Sequence, residues 1–298
     1  MSDIQDKLHA AKRAKKDEFY TQFPTIEKEL FHYRHHFLDK TVYLNCDDYR
    51  FSNFWMYFKL NFDFFALKRL IATFYNEGGV SIKAEIIKTE NGYEEKYENL
   101  VGDGDFRSEE CENLLKESDI IISNPPFSLF RQYVAQIFKY NKNFVIMGNN
   151  NAITYKEIFP LIKNNELWLG NNSNFSCEFE VGEGYRYDRE DNGKKYGTVR
   201  SISWFTNLET KRRHEKIILY KRYEEDKYQK YLNCDAINVD YVADIPKDYD
   251  GLMGVPISFL SSYNPEQFEI VKFRKGDDGK DLILSDRQPY FRILIKRK

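Results

Sequence analysis

Asp119-Ile120-Ile121-Ile122-Ser123-Asn124-Pro125-Pro126-Phe127 is the stretch that decides the fold. An uninterrupted run of three isoleucines reads as a strand covered on both faces, as parallel strands inside α/β sheets are. The two prolines that follow have no N–H to give a ladder and hold φ near about −65°, so the chain leaves the strand as a stiff turn. Ser128 to Tyr140 then carries a helical pattern. A buried strand, a rigid turn and a helix place Asn124 and its neighbours at the carboxyl end of a strand, where open α/β sheets bind ligands.

The same rhythm extends to both sides. Upstream, Thr41 to Asn45 reads as a short buried strand ending at Cys46-Asp47-Asp48, Ser52 caps a helix from Asn53 to about Arg69, and Leu70 to Tyr75 is the next strand before Asn76-Glu77-Gly78-Gly79. This is a βαβ unit, with parallel strands and a right-handed crossover. Ser81 to Thr89 and Tyr93 to Leu100 alternate around Asn91-Gly92 as a hairpin, and a helix is expected near Glu109 to Glu117. At the start of the chain, residues 1–16 read as a Lys/Arg-rich helix and Thr25 as the N-cap of a second one. Downstream, the pattern predicts a strand at Asn143 to Gly148, a helix at Ile153 to Asn164 and a short strand at Leu167 to Gly170. Residues 171–198 read as an excursion off the sheet, able to contact a large partner, and Val199 to Asn207 and Lys216 to Tyr220 as its antiparallel edge. The fold class is therefore α/β, with a core over residues 1–220 and a second region over 221–298.

Composition narrows the function classes. Among 298 residues 42% are apolar, 31% charged and 16% aromatic, a globular balance, and the formal net charge of −2 gives no global sign of a polyanionic partner. No stretch has the length and apolarity of a signal peptide or a membrane span, so an intracellular protein is expected. Cys46, Cys111, Cys177 and Cys234 lack paired spacing and read as free thiols. His32, His35 and His36 share one helical stretch without a completing ligand, and no metal is expected.

Asn-Pro-Pro-Phe suits chemistry on an amine. The exocyclic amine of a base is conjugated and weakly nucleophilic, and accepting hydrogen bonds from both of its N–H groups draws the nitrogen toward tetrahedral geometry. Asn124 Oδ1 and the Pro125 carbonyl can be those acceptors, Pro126 stiffens the turn, and Phe127 offers an aromatic face to a base taken out of its stack. The sequence holds no Pro-Cys dipeptide, so a covalent route through a cysteine at that motif is not indicated.

Several further segments share one order along the chain: Lys16 to Gln22, Leu44 to Asp48, Ser52 to Trp55, Gly102 to Phe106, Trp204 to Leu208 and Gly254 to Leu260. With Asn124 to Phe127 they resemble the EcoRI-type adenine-specific DNA methyltransferases. The resemblance implies a Rossmann-like class I methyltransferase core with a C-terminal target-recognition region, S-adenosyl-L-methionine as donor and a flipped adenine of double-stranded DNA as acceptor. It places Phe19, Tyr20 and Thr21 at the methionine end of the donor, Asn45, Cys46, Asp47 and Asp48 in the turn after the first strand, and Asp105 and Phe106 at the donor's adenine. A cytoplasmic enzyme of bacterial or phage origin is expected; methylation of one adenine per encounter suits a monomer, and a separate restriction endonuclease for the same site is a possible partner.

The departures are specific. Residues 47–53 contain no glycine where methyltransferases usually have a glycine-rich first loop, and Glu77 comes one or two positions late for an acid that binds ribose hydroxyls. Phosphate contacts are expected from Lys211, Arg212 and Arg213, and from Lys272, Arg274 and Lys275. The competing readings are a methyltransferase for RNA guanine, DNA cytosine N4 or protein glutamine, and a DNA-binding relative without catalysis.

Overall fold

A computed structural model describes residues 20–173, 175–181 and 187–298. The expected N-terminal helix and Phe19 lie outside the described residues. Two compact units divide the chain, one comprising residues 1–158 and 169–208 and the other residues 159–168 and 209–298.

The first unit is built on one mixed sheet. In chain order its elements are β1 (Tyr20–Thr21), α1 (Phe23–Leu30), β2 (Thr41–Leu44), α2 (Asn53–Leu60), β3 (Arg69–Ala72), β4 (Ile82–Thr89), β5 (Gly92–Asn99), α3 (Glu109–Glu117), β6 (Ile120–Ser123), α4 (Phe130–Lys139) and β7 (Asn143–Asn149). After α5 (Phe159–Lys163), which with Trp168 belongs to the second unit, come β8 (Trp168–Leu169), β9 (Phe175–Val181), β10 (Arg189–Asp191) and β11 (Lys194–Thr206). The order across the sheet is β1-β9-β11-β7-β6-β2-β3-β4-β5. Its centre is parallel, with β7, β6, β2 and β3 in line, and both flanks are antiparallel.

Alternation along the central strands explains why both faces must be covered. Val42, Leu44, Ile120, Ile122, Val145 and Met147 join Ile26 and Leu30 of α1, Phe54, Trp55 and Phe58 of α2, and Trp204 in one apolar cluster. Tyr43, Ile121, Phe144 and Ile146 point to the opposite face and are equally buried, as are Leu115 of α3 and Tyr133 and Ile137 of α4. Each such large side chain contributes about 1.5–3 kcal/mol when fully buried.

Several sequence expectations are corrected. Helix α1 starts at Phe23 with Gln22 as its N-cap, because Pro24 fits the first turn where no N–H is required; Thr25 is inside the helix. Ser52 does cap α2, accepting from the N–H groups of Phe54 and Trp55, but the helix ends at Leu60 and not near Arg69. The Asn61 amide donates to the Tyr57 carbonyl, and Ala66 at φ 49° turns the chain into β3. The helix expected at Ile153 to Asn164 is interrupted: a 3-10 turn spans Asn150–Thr154, and α5 restarts with Pro160 as its second residue. Residues 171–198 are not an excursion free of the sheet, since β9 lies between β1 and β11. Buried Glu29 anchors the entry to that segment, accepting from Tyr33 Oη at 2.8 Å and from the N–H groups of Asn171 and Asn172 at 2.8 and 2.7 Å.

The second unit has a four-stranded sheet of β12 (Ala236–Asn238), β13 (Leu252–Pro256), β14 (Phe268–Phe273) and β15 (Arg292–Arg297), in the order β12-β13-β15-β14. Lys216 to Tyr220 form no strand; instead Ile217 exchanges two hydrogen bonds with the Gln267 side chain of the same unit, both 2.8 Å. Residues 209–220 therefore pack with this unit and not with the sheet of the first. Gly254 is required because a Cβ there would lie 2.1 Å from Tyr231 Oη, under whose ring β13 passes.

Candidate active site

The carboxyl ends of β2, β3 and β6 face one crevice, formed by two cavities. The smaller is lined by Asn45, Cys46, Tyr75, Gly104, Asp105, Phe106, Arg107, Pro126, Ser128 and Leu129. The larger, about 240 Å³, is lined by Thr21, Cys46, Asp47, Asp48, Arg50, Ser52, Asn53, Phe54, Phe74, Tyr75, Asn76 and Asn124. Cys46 and Tyr75 line both, so the two form one elongated site.

Asn124 directly follows β6 and is 7% exposed. Its Nδ2 donates to Thr21 Oγ1 at 3.3 Å, and that hydroxyl donates onward to Met147 Sδ at 3.3 Å. The bond fixes the amide's orientation. Thr21 is held in turn, because Asn53 Nδ2 donates to its carbonyl at 2.8 Å. Strand β1, whose Tyr20 is described by its backbone, is thus tied to the Asn124 turn and to α2 through Thr21. Pro125 and Pro126 are buried, and the Pro126 carbonyl accepts from Leu129 N at 2.9 Å. Phe127 is half-buried and packs against the apolar cluster of α1 and α2.

Asp47 is more than a turn former. The residue is 8% exposed, and its carboxylate accepts from Ser52 Oγ at 2.7 Å and Ser123 Oγ at 3.0 Å, joining the β2 turn, the start of α2 and the last residue before Asn124. Burial pushes its pKa from 3.8 to about 6 against the pull of the two hydroxyls. Asp48 faces the rim, where Arg50 Nε and Nη2 meet its two oxygens at 2.9 and 2.6 Å. Asn45 accepts from the buried Tyr133 hydroxyl, a bond between the β2 turn and α4. Cys46, Cys111 and Cys234 form no disulfide.

At the other end Phe106 is 5% exposed and meets Tyr133 edge-on at 5.1 Å between centroids. Gly104 has φ +77°, and a Cβ would stand 2.1 Å from the Phe74 carbonyl and 2.6 Å from Ser81 Oγ, so only glycine lets this loop pass the end of β3. Residues 47–53 reach the crevice without a glycine, since Asp47, Asp48, Arg50, Ser52 and Asn53 line the larger cavity, and the glycine at the crevice is Gly104. Glu77 is exposed and lines neither cavity; Tyr75 and Asn76 take the positions after β3. Sequence reasoning missed Tyr75, Ser52's bond to Asp47, Ser123, Gly104 and Arg107. Only Gly104 carried a local signal, as a glycine between two aspartates.

The basic candidates lie in the second unit. Lys211 and Arg212 are exposed on a 3-10 turn, Lys211–His214. Arg213 is turned inward, bonded to Glu209 at 3.1 Å and Asn165 at 2.9 Å with its guanidinium 3.5 Å from the Trp168 ring centroid, so its charge is used inside the unit. Lys272 Nζ donates to the Gly276 carbonyl at 3.1 Å, Arg274 pairs with Asp281 at 3.3 Å and lies over Phe291, and Lys275 is exposed. No helix among the described residues is long and apolar enough to cross a membrane, and none of their His, Cys, Asp and Glu side chains cluster as a metal site would.

Comparison with known proteins agrees with this geometry. The chain is 50% identical to the type II methyltransferase M.EcoRI of Escherichia coli over 98% of its length and 96% of that protein's. It is 35% identical to the type II methyltransferase M.MgeORF184P of Mycoplasma genitalium over 98% of both chains. To the type II methyltransferase M.MpnI of Mycoplasma pneumoniae it is 40% identical over 89% of this chain and 84% of the relative. No solved structure matches it. The model of the family described as adenine-specific methyltransferase EcoRI matches residues 7–298, and a methyl donor is inherent in that activity. A crevice at the carboxyl ends of parallel strands, Asn124-Pro125-Pro126-Phe127 at its edge and likeness along nearly the whole chain together establish that this protein belongs to the EcoRI family of adenine-specific DNA methyltransferases.

Proposed function

We propose that the chain transfers a methyl group from S-adenosyl-L-methionine to N6 of an adenine flipped out of double-stranded DNA. The observation that carries this reading is Asn124 at the edge of the donor crevice, with its Nδ2 turned to Thr21. The residues present fit the donor: an aromatic and an acid, Phe106 and Asp105, line the smaller cavity as a purine would require, and the buried Asp47 carboxylate lines the larger one beside Thr21. The donor supplies an electrophilic methyl on a sulfonium.

With its amide held by Thr21, Asn124 Oδ1 is the side acceptor for one N–H of the target amine, and the Pro125 carbonyl is the acceptor for the other. The rigid Pro-Pro turn keeps both acceptors in place, which is how positioning accelerates a reaction that needs no covalent protein intermediate. Phe127 supplies stacking for the extruded base, worth on the order of 1–3 kcal/mol. Asp47 offers the anionic partner for the cationic end of the donor, and Thr21, Asn45, Cys46 and Asp48 shape the walls around it.

Duplex DNA is held by basic residues of the second unit, which we read as the target-recognition region; the exposed Lys211, Arg212 and Lys275 and the half-buried Lys272 and Arg274 are the phosphate contacts. Alanine at Lys211 or Arg212 is expected to weaken binding to all duplexes and to lower the salt slope by about one each, measured by fluorescence anisotropy between low and moderate salt. Arg213→Ala is expected to leave that slope unchanged and cost about 1–3 kcal/mol in urea unfolding, because its guanidinium is buried over Trp168. Methylation of one adenine per encounter is the ground on which we read the enzyme as a monomer. The type II names of the relatives support a separate restriction endonuclease for the same site, and a DNA substrate supports a cytoplasmic location.

The test is incubation of the protein with tritiated S-adenosyl-L-methionine and duplex DNA of mixed sequence, followed by nucleoside digestion. Label in N6-methyladenine is the expected result. Label in N4-methylcytosine, or none in DNA while RNA or protein is labelled, would replace the reading.

A further inference from the structure

Arg107 directly follows the Asp105-Phe106 pair and stands at the rim of the smaller cavity. Its backbone N–H and its Nε donate to Asp105 Oδ1 at 2.9 and 2.8 Å, and its Nη2 donates to Asp105 Oδ2 at 2.5 Å. The side chain therefore grips both oxygens of the carboxylate and fixes its plane. The remaining arm, Nη1, reaches Gln132 Oε1 at 3.3 Å on α4. That helix begins directly after the turn that carries Asn124. The loop has a second tie to it, since the Phe106 carbonyl accepts from Gln136 Nε2 at 3.0 Å.

A carboxylate that is free to rotate accepts a hydrogen bond in many orientations and discriminates poorly. One locked by a bidentate guanidinium presents its acceptors in one plane, so it rewards a ligand that places a donor there and penalises one that places an acceptor there. We propose that Arg107 is a positioning residue that gives the donor site its selectivity for a purine bearing an exocyclic amine over one bearing a carbonyl at that position. The inference rests on the reading of the crevice as the S-adenosyl-L-methionine site. Arg107 acts through Asp105 and Gln132 and touches no reacting atom.

The experiment compares binding of S-adenosyl-L-homocysteine and S-inosyl-L-homocysteine by calorimetry in the wild type and in Asp105→Ala, Arg107→Met, Arg107→Lys and Gln132→Ala. The wild type is expected to prefer the adenine form. Asp105→Ala should abolish the preference. Arg107→Met should weaken the adenine form about tenfold while leaving the inosine form nearly unchanged, a loss of selectivity that general destabilisation would not produce. Arg107→Lys should restore part of the preference, and Gln132→Ala should lose a smaller part with Arg107 in place. At saturating donor, kcat of Arg107→Met should stay within about twofold of wild type, so that the effect appears in the donor KM. If Asp105→Ala loses the preference while Arg107→Met and Gln132→Ala keep it, or if Arg107→Met binds the adenine form more tightly, the role of Arg107 is overturned and the donor site stands. If Asp105→Ala also keeps the preference, the donor-site reading itself fails.

Discussion

Asn124→Ala is expected to lower single-turnover methyl transfer about a thousandfold while S-adenosyl-L-methionine affinity stays within about threefold of wild type. The size follows from what removing one preorganised hydrogen-bonding group from a reacting centre costs, roughly 10²–10³ in rate. The sparing of donor binding follows from position, because Asn124 lies at the edge of the larger cavity and its bond to Thr21 Oγ1 is long at 3.3 Å. Rapid-quench transfer on a cognate duplex and a separate donor titration check both halves. A comparable loss in donor affinity would mean that Asn124 holds the donor and not the target amine.

The second large effect is expected at Asp47, where function and stability should move in opposite directions. The folded pKa of about 6 lies above the ordinary 3.8, so the stability contributed by protonating this group is complete below pH 3.8 and is lost as pH rises through 6. Above that window the chain carries a buried ionised carboxylate at a cost of about 3 kcal/mol, from a shift of about two units. Asp47→Asn keeps the shape: its Oδ1 can still accept from Ser52 Oγ, and its Nδ2 can donate to Ser123 Oγ, whose hydroxyl is able to reverse. The variant should therefore be roughly 1–3 kcal/mol more stable than wild type in urea at pH 8, with the gap closing between pH 6 and pH 4. Its affinity for S-adenosyl-L-methionine should fall about tenfold at pH 8. Wild-type affinity should fall as pH drops through 6, whereas the affinity of Asp47→Asn should be flat there. A variant no more stable than wild type at pH 8 would show that the two serine hydroxyls already compensate the buried charge.

The strand before Asn124, the strand before Asn45 and the helix capped by Ser52 were legible because their signals are local. An isoleucine run, a Pro-Pro turn and a serine that accepts two helix N–H groups each act within a few residues. Phe175 to Val181 alternates strictly in sequence, yet its glycine- and polar-rich surroundings favoured a loop reading; its place between β1 and β11 depends on partners far along the chain. Arg213 is the corresponding case for the surface. Its neighbours Lys211 and Arg212 are exposed, and nothing in Lys-Arg-Arg-His marks the middle arginine as the one that Trp168 and Asn165 draw inward.

By itself, then, the sequence determined the α/β class, the carboxyl-end position of the Asn-Pro-Pro-Phe turn and, through ordered segments along the chain, the resemblance that the comparisons establish as family membership. Backbone propensity, proline geometry and apolar periodicity are short-range properties, and they are written residue by residue. Only the tertiary structure decided that Thr21 orients Asn124 across 103 positions of sequence, that Asp47 meets Ser123 across 76, and that Asp105 is gripped by an arginine tied to α4. Those pairings depend on how strands order in the sheet and on which groups burial leaves needing a partner, and both are fixed by packing of the whole unit.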